Sequence, residues 1–253
     1  MRLWSKTACA ASGIALASIL WLAWEVRDLP SVEDIRHRPF SRYVPKGQST
    51  WVPLWAISPK LQAAVLTWED PPFFHHSGFN FDEIAKAVIE DLRAGRYQRG
   101  ASTITQQVAK NLFLDSEKTL RRKLREAILT RRLERALSKE EILLLYLNIA
   151  EWGDGVAGAE AASRRYFSKS AEDLNWAEAA LLAGILPNPR HRNPCENPSD
   201  ALRARHAVLT KLLRAELLSP QEFQEADAAP SPGCDDPTPP ASSTQSVSES
   251  SGP

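Results

Sequence analysis

Cysteine is scarce in this chain, with three in 253 residues. No Cys/His group has the spacing of a zinc site. Cys195 and Cys234 could pair in an oxidising compartment, though nothing in their spacing demands it. Cys9 lacks the upstream leucine of a lipid-attachment site. Net charge is absent as well, since 31 basic and 31 acidic side chains cancel. No global pull toward nucleic acid or an anionic membrane follows. Alternating polar and apolar runs are missing, so no strand can be placed with conviction. Internal repeats are missing too. From Ala228 onward there is no lysine or arginine, and proline and serine abound. That segment cannot bury a core, and 228–253 is expected to be a disordered tail.

One long apolar run is present. Thr7 to Trp24 carries no charge and is just long enough to span a bilayer. Trp21 and Trp24 suit the interface at its end. A cleaved signal peptide is the competing reading, but Trp24-Glu25-Val26-Arg27 offers no small-residue cleavage site. An uncleaved anchor over 7–24 is therefore expected, after a short basic head at 1–6. Basic residues lie on both sides of it (Arg2 and Lys6 before, Arg27, Arg36, Arg38 and Arg42 after), so charge counting leaves its orientation open. Residues 25–57 form a connecting, membrane-proximal segment.

The folded body is expected over 58–227 and reads as helical throughout. Ser58-Pro59 is a cap followed by proline at the first helical position, opening a helix to about Trp68. Phe81 to Ala94 is the next helix, stopped by Gly95, and another covers part of Ser102 to Phe113. Ser116 to Leu137 reads as one long helix with Leu120, Leu124, Ala127 and Ile128 on its core face. Capping boxes at Ser138–Glu141 and Asn175–Glu178 open two more. A final pair spans about 199–217 and 220–226.

Three segments carry residue types suited to chemistry. In the first, Glu69 and Asp70 end a helix just before Pro71-Pro72-Phe73-Phe74-His75-His76. The prolines force the chain out of helix and present the acids on a rigid turn beside aromatic rings. A carboxylate in a partly dry pocket has a raised pKa, which suits a general acid or base near neutral pH. An ordinary surface turn would look the same. In the second, Arg99 to Asn111 combines a glycine, hydroxyls, paired amides and a lysine, a set able to bind many oxygen atoms. It also reads as a capped helix start with Ser102 as cap. In the third, Lys118, Arg122 and Glu126 fall on one helical stripe flanked by Arg125. Arginine binds a pyrophosphate bidentately, so this helix suits a phosphate, although charge runs are usually solvated faces. Tracking of nucleic acid along it has no groove-reading motif to support it.

In that order, the three segments resemble the peptidoglycan glycosyltransferases of glycosyltransferase family 51. The first motif, Glu-Asp-x-x-Phe-x-x-His-x-Gly, stands as Glu69-Asp70-Pro-Pro-Phe73-Phe-His-His76-Ser-Gly78. The second, Gly-Gly-Ser-Thr-Ile-Thr-Gln-Gln, stands as Gly100-Ala101-Ser102-Thr103-Ile104-Thr105-Gln106-Gln107. The third, Arg-Lys-x-x-Glu, stands as Arg122-Lys123-Leu-Arg-Glu126. A Lys-x-x-Ile-Leu-x-x-Tyr-Leu-Asn pattern follows at Lys139 to Asn148, with further similarity at Arg165-Tyr166-Phe167 and at Glu178 to Pro189. The resemblance covers roughly residues 50 to 195. Ala101 replaces a glycine, and Lys118 stands where the family usually has arginine, which loses bidentate phosphate binding.

The resemblance implies a mainly helical, lysozyme-like domain with a small membrane-proximal lobe, preceded by one transmembrane helix. It implies polymerisation of lipid II into glycan strands, with inversion at the anomeric carbon and undecaprenyl pyrophosphate as leaving group. By motif match, Glu69 is the general base and Glu126 assists at the departing phosphate, directly or through a divalent ion such as Mg or Mn; no obligatory cofactor is expected. Lys110, Lys118 and Arg125 are expected to neutralise the pyrophosphate. Asp70, Phe73, His76, Ser102, Thr103, Gln106, Gln107, Arg122 and Lys123 complete the substrate-binding set. The implied location is a bacterial inner membrane, with a single span and the body in the periplasm. Cell-wall synthesis or cell-division proteins are the implied partners, and nucleic acid is not. The transpeptidase motifs Ser-x-x-Lys and Lys-Thr-Gly do not occur, so a monofunctional enzyme is expected. A lytic muramidase is the first rival, because two carboxylates are also its equipment. The second is a non-catalytic scaffold that binds lipid II.

Overall fold

Caps decide where the helices begin. In the computed structural model, which describes residues 25–32, 35, 50–95, 102–115, 117 and 119–232, Ser58 accepts from the Lys60 N–H and opens α1 (Pro59–Glu69). Asn80 caps α2 (Phe81–Ala94), which ends at Gly95 with φ +64°. Thr103 and Gln106 form a capping box for α3 (Ile104–Phe113). Thr119 caps α4 (Leu120–Ala136), and the Ser138/Glu141 box opens α5 (Lys139–Ile149). After a short hairpin come α6 (Ala159–Phe167) and α7 (Trp176–Ile185), the latter opened by the Asn175/Glu178 box. Helices α8 (Pro198–Arg214) and α9 (Pro220–Asp227) complete the body.

Several boundaries differ from the sequence reading. The cap of α3 is Thr103, because only Thr103 has glutamine three residues on to close the box; Ser102 lies outside the helix and is exposed. α4 begins at Leu120, not Ser116, and its core face is different. Leu120 is 92% exposed, while Glu126, Leu129, Thr130 and Leu133 are buried at i, i+3, i+4 and i+7. The carboxylate of Glu126 therefore lies on the buried stripe, not opposite it. A hairpin of β1 (Glu151–Gly153) and β2 (Val156–Ala157), paired antiparallel, was not foreseen; strands this short leave no alternation to read. The anchor at 7–24, Lys118, Cys9, Cys234 and nearly all of the tail lie outside the described residues. Cys195 is disulfide-bonded. Among the described residues, no helix is long and apolar enough to cross a membrane.

The core centres on α7, buried from Ala179 through Ile185 and packed between α1 and α8. Gly184 makes that closeness possible, since a β-carbon there would lie 2.9 Å from the Ala204 carbonyl carbon. Trp152 is fully buried, and its indole N–H donates to the Leu182 carbonyl at 3.1 Å. The core also reaches back beyond Ser58. Asn148 pairs with the Val52 backbone in both directions at 3.0 Å, and Leu29, Val32 and Ile35 are buried in the same cluster.

Gly78 fixes the turn that follows α1 against α4. Its φ is +89°, and a β-carbon would lie 2.7 Å from Thr130 Cγ2 and 3.0 Å from Glu134 Cγ. Gly78→Ala should destabilise the fold by about 2–4 kcal/mol, from overpacking and a left-handed backbone together. A urea titration checks this, and an unchanged midpoint would contradict the packing described.

Candidate active site

Helix α1 stops at Glu69 because Pro71 and Pro72 follow, and a short 3-10 turn, Phe73–His75, redirects the chain. Asp70 then acts as a hub. Its carboxylate is 2% exposed and takes His76 Nε2 at 2.8 Å and 3.0 Å and the Ile104 N–H at 3.0 Å. The Gly78 N–H donates to His76 Nδ1 at 3.1 Å, so in the neutral ring the proton sits on Nε2 and points at Asp70. A carboxylate at the first N–H of α3 also faces the positive end of that helix. The Thr103 hydroxyl donates to the Gly78 carbonyl at 2.8 Å and closes the joint.

Asp70, Phe73, His76, Thr103 and Gln106 stand in the expected substrate-binding set, where Asp70 and Gln106 could either orient sugars or support the site. Asp70, His76 and Thr103 bond within the protein, the Gln106 amide oxygen takes the Thr103 N–H, and Phe73 is fully buried with Lys139 Nζ 4.4 Å above its ring. They build the wall that places Glu69. Lys139 in turn pairs with Glu134 at 2.7 Å, and Glu134 accepts from the Thr105 hydroxyl at 2.5 Å, which ties α3, α4 and α5 together.

Glu69 sits half-buried beside this wall. Gln107 Nε2 donates to its Oε2 at 2.5 Å, and the Tyr146 hydroxyl donates to Gln107 Oε1 at 3.2 Å. Burial pushes the Glu69 carboxyl above its ordinary range; the Gln107 donation, Lys211 and Lys110 oppose that rise, and Asp70 adds to it. Lys211 arrives from α8, its ammonium 4.4 Å above the Trp68 ring. A half-buried carboxylate with a raised pKa and a free edge has the equipment of a general base.

A second carboxylate lies on α4. Glu126 is buried, with Arg122 on Oε2 at 2.8 Å and Lys123 on Oε1. Lys123 also reaches Ser102 Oγ at 3.5 Å, which joins the start of α3 to this cationic patch. Lys110 is exposed on α3. Arg125 points elsewhere. It meets Asp28 Oδ2 at 2.8 Å and fully buried Glu25 at 3.2 Å, while Arg121 meets Glu25 at 2.5 Å. Arg132 donates to the Val26 carbonyl at 2.8 Å, so residues 25–30 are strapped to α4. A divalent ion at Glu126 fits poorly, because both oxygens already carry cations. Among the described residues no group of three or more His, Cys, Asp or Glu could complete its shell.

Sequence reasoning missed Tyr146, Lys211, Glu25 and Glu134. Tyr146 stood in a quoted motif without a role. Lys211 and Glu25 had no local signal, because each reaches its partner across about a hundred residues or more of chain.

The chain is similar to known proteins over most of its length. A biosynthetic peptidoglycan transglycosylase of Nitrosospira multiformis is 43% identical over 170 residues, 67% of this chain and 74% of its own. One of Aromatoleum aromaticum is 48% identical over 155 residues, 61% and 67% of the two chains. Penicillin-binding protein 2D of Bacillus subtilis is 43% identical over 175 residues, 69% of this chain and 25% of its own. A crystal structure of penicillin-binding protein 1A from Haemophilus influenzae aligns with 76% of this chain and 19% of its own, at 21% identity and a TM-score of 0.46. The transglycosylase family matches residues 36–213, and the chain belongs to that family.

Proposed function

We propose that this chain is a peptidoglycan glycosyltransferase that polymerises lipid II, with Glu69 as general base. The observation that carries the proposal is the Glu69 carboxylate, half-buried and held by Gln107, on the same joint as the helix bearing Arg122, Lys123 and Glu126. Family membership supplies the substrate class.

The chemistry follows from these groups. The 4-hydroxyl of the acceptor N-acetylglucosamine is a poor nucleophile until its proton has a destination. Glu69 takes that proton as the oxygen attacks the donor sugar's anomeric carbon. The bond from that carbon to the phosphate breaks, and polyprenyl pyrophosphate leaves with the electron pair. Arg122 and Lys123 meet the charge that develops on it, and Lys110 adds to them from α3. Lys118 is proposed for the same task by its motif position. Arg125 can join them only by letting go of both Asp28, which is more than half exposed, and buried Glu25. Ser102, exposed beside Lys123, is placed to meet sugar or phosphate oxygens. Glu126 keeps the two cations in register. Attack opposite the departing phosphate inverts the α-linked donor to a β-linked product. Residues 7–24 are proposed to tether the body to the surface where the lipid carrier lies, which raises the encounter concentration, with the body on the periplasmic side.

The stereochemistry tests the single displacement. Nuclear magnetic resonance of the product should show β-linked N-acetylmuramic acid, whereas an α linkage would point to a covalent intermediate and remove the base role from Glu69. The pH profile tests the base itself. Because burial raises the Glu69 pKa, the rate should climb through an acid limb above the ordinary carboxylate range and level off once Glu69 is ionised. An acid limb near pH 4 would contradict the buried base.

A further inference from the structure

We infer that Tyr146 is a positioning residue for the reaction, its hydroxyl locking the Gln107 amide with the NH2 edge turned onto Glu69. The inference rests on the reading of Glu69 as the base. Three observations carry it. Tyr146 is 1% exposed on α5, with its ring fixed among core side chains. Its hydroxyl reaches Gln107 Oε1 at 3.2 Å, and the other end of the same amide reaches Glu69 Oε2 at 2.5 Å. Glu69, Gln107 and Tyr146 come from three different helices, α1, α3 and α5, so the chain of contacts also senses how those helices are docked.

The logic is one of donors and acceptors. An ionised carboxylate only accepts, so Gln107 must present its NH2 group to Glu69. Its carbonyl oxygen then faces Tyr146, which must donate. The phenol remains a donor through the working range, because burial first, and the nearby Glu69 and Asp70 carboxylates next, hold its pKa well above the ordinary value. With the amide oxygen tied to Tyr146, rotation of the amide would put oxygen against oxygen at Glu69 and is excluded. Glu69 is thereby left with Oε2 occupied and Oε1 for the acceptor hydroxyl. The other charged groups acting on Glu69 are Lys211 from α8, Lys110 from α3 and Asp70 beside it.

Tyr146→Phe keeps the ring and removes the donor. In the membrane-anchored full chain with lipid II, kcat should fall about tenfold, the worth of one buried hydrogen bond of about 1.4 kcal/mol. KM should hold, and the acid limb of the pH profile should move upward, because a loosened amide donates less to the ionised base. Gln107→Ala should lower kcat further, and the double variant should be no slower than Gln107→Ala alone, since Tyr146 acts only through Gln107. Multiplying losses, or an unmoved acid limb, would overturn the inference and leave Tyr146 as core packing. If Tyr146→Phe does not fold, 4-aminophenylalanine and 4-methylphenylalanine at the position compare donor with no donor at near-equal volume. A higher acid limb for the methyl form supports the lock, and identical limbs overturn it. Glu69→Gln is run beside them. Loss of activity there with an unmoved Tyr146→Phe profile sinks only the lock, whereas an active Glu69→Gln sinks the base reading itself.

Discussion

Glu69→Gln should be folded, should bind lipid II, and should polymerise it at least about a thousandfold more slowly than the parent, within the range general bases contribute. The substitution keeps the shape of the side chain and an oxygen for the Gln107 NH2 group, so the wall of the cleft is undisturbed. Its effect on stability has an unusual sign. Burial raises the folded-state pKa of Glu69 above its unfolded value. Below the unfolded value both states hold the proton and no penalty exists. As pH rises through the folded pKa, the ionised carboxylate must be kept in a site that disfavours it, and that stability is lost. The glutamine variant escapes this loss. Its melting temperature should equal or exceed that of the parent at neutral pH, and the gap should close toward pH 4. A variant that is both inactive and less stable at neutral pH would mean that Glu69 holds the fold together, and that its loss says nothing about catalysis.

Asp70→Ala should cost about 2–5 kcal/mol of stability, the range for two donors left without an acceptor. The change strands the buried Ile104 N–H and the partly buried His76 Nε2–H. Asp70→Asn should recover only part of this. Its one oxygen can serve Ile104, but its NH2 group then faces a histidine that is itself a donor, and the Gly78 N–H keeps the tautomer from switching. Activity should fall with stability, because the same joint sets the position of Glu69. Urea titrations of the three proteins read the outcome. A loss below about 1 kcal/mol for Asp70→Ala would show that the hub is dispensable.

These two neighbours also show what the sequence can and cannot disclose. Both were legible as candidates from the prolines, the aromatic run and the motif around them. Their division of labour was not, because it depends on partners elsewhere in the chain. Asp70 is consumed by His76 and by the N–H of Ile104, whereas Glu69 is met by Gln107 and keeps an edge for the cleft. Helix starts were readable where a box announces them, as at Ser138 and Asn175. The face of α4 was misread in part: Ile128 packs against the core, but Leu124 and Ala127 are only half-buried. Leu120 stands exposed at the first turn, and the buried stripe runs through Glu126 and Thr130, polar residues that no hydropathy pattern would put inside. Arg125 looked like a phosphate ligand by spacing. In the fold it holds Glu25 and Asp28, about a hundred residues earlier, a pairing that no local pattern signals.

The measurement that tests the central claim most directly is incubation of detergent-solubilised protein with labelled lipid II, followed by separation of products by size and digestion with muramidase. The account predicts a polymer that muramidase degrades, formed with release of one polyprenyl pyrophosphate per glycosidic bond. Lipid II that is bound by folded protein yet left unpolymerised, or preformed glycan that is degraded instead, would contradict it.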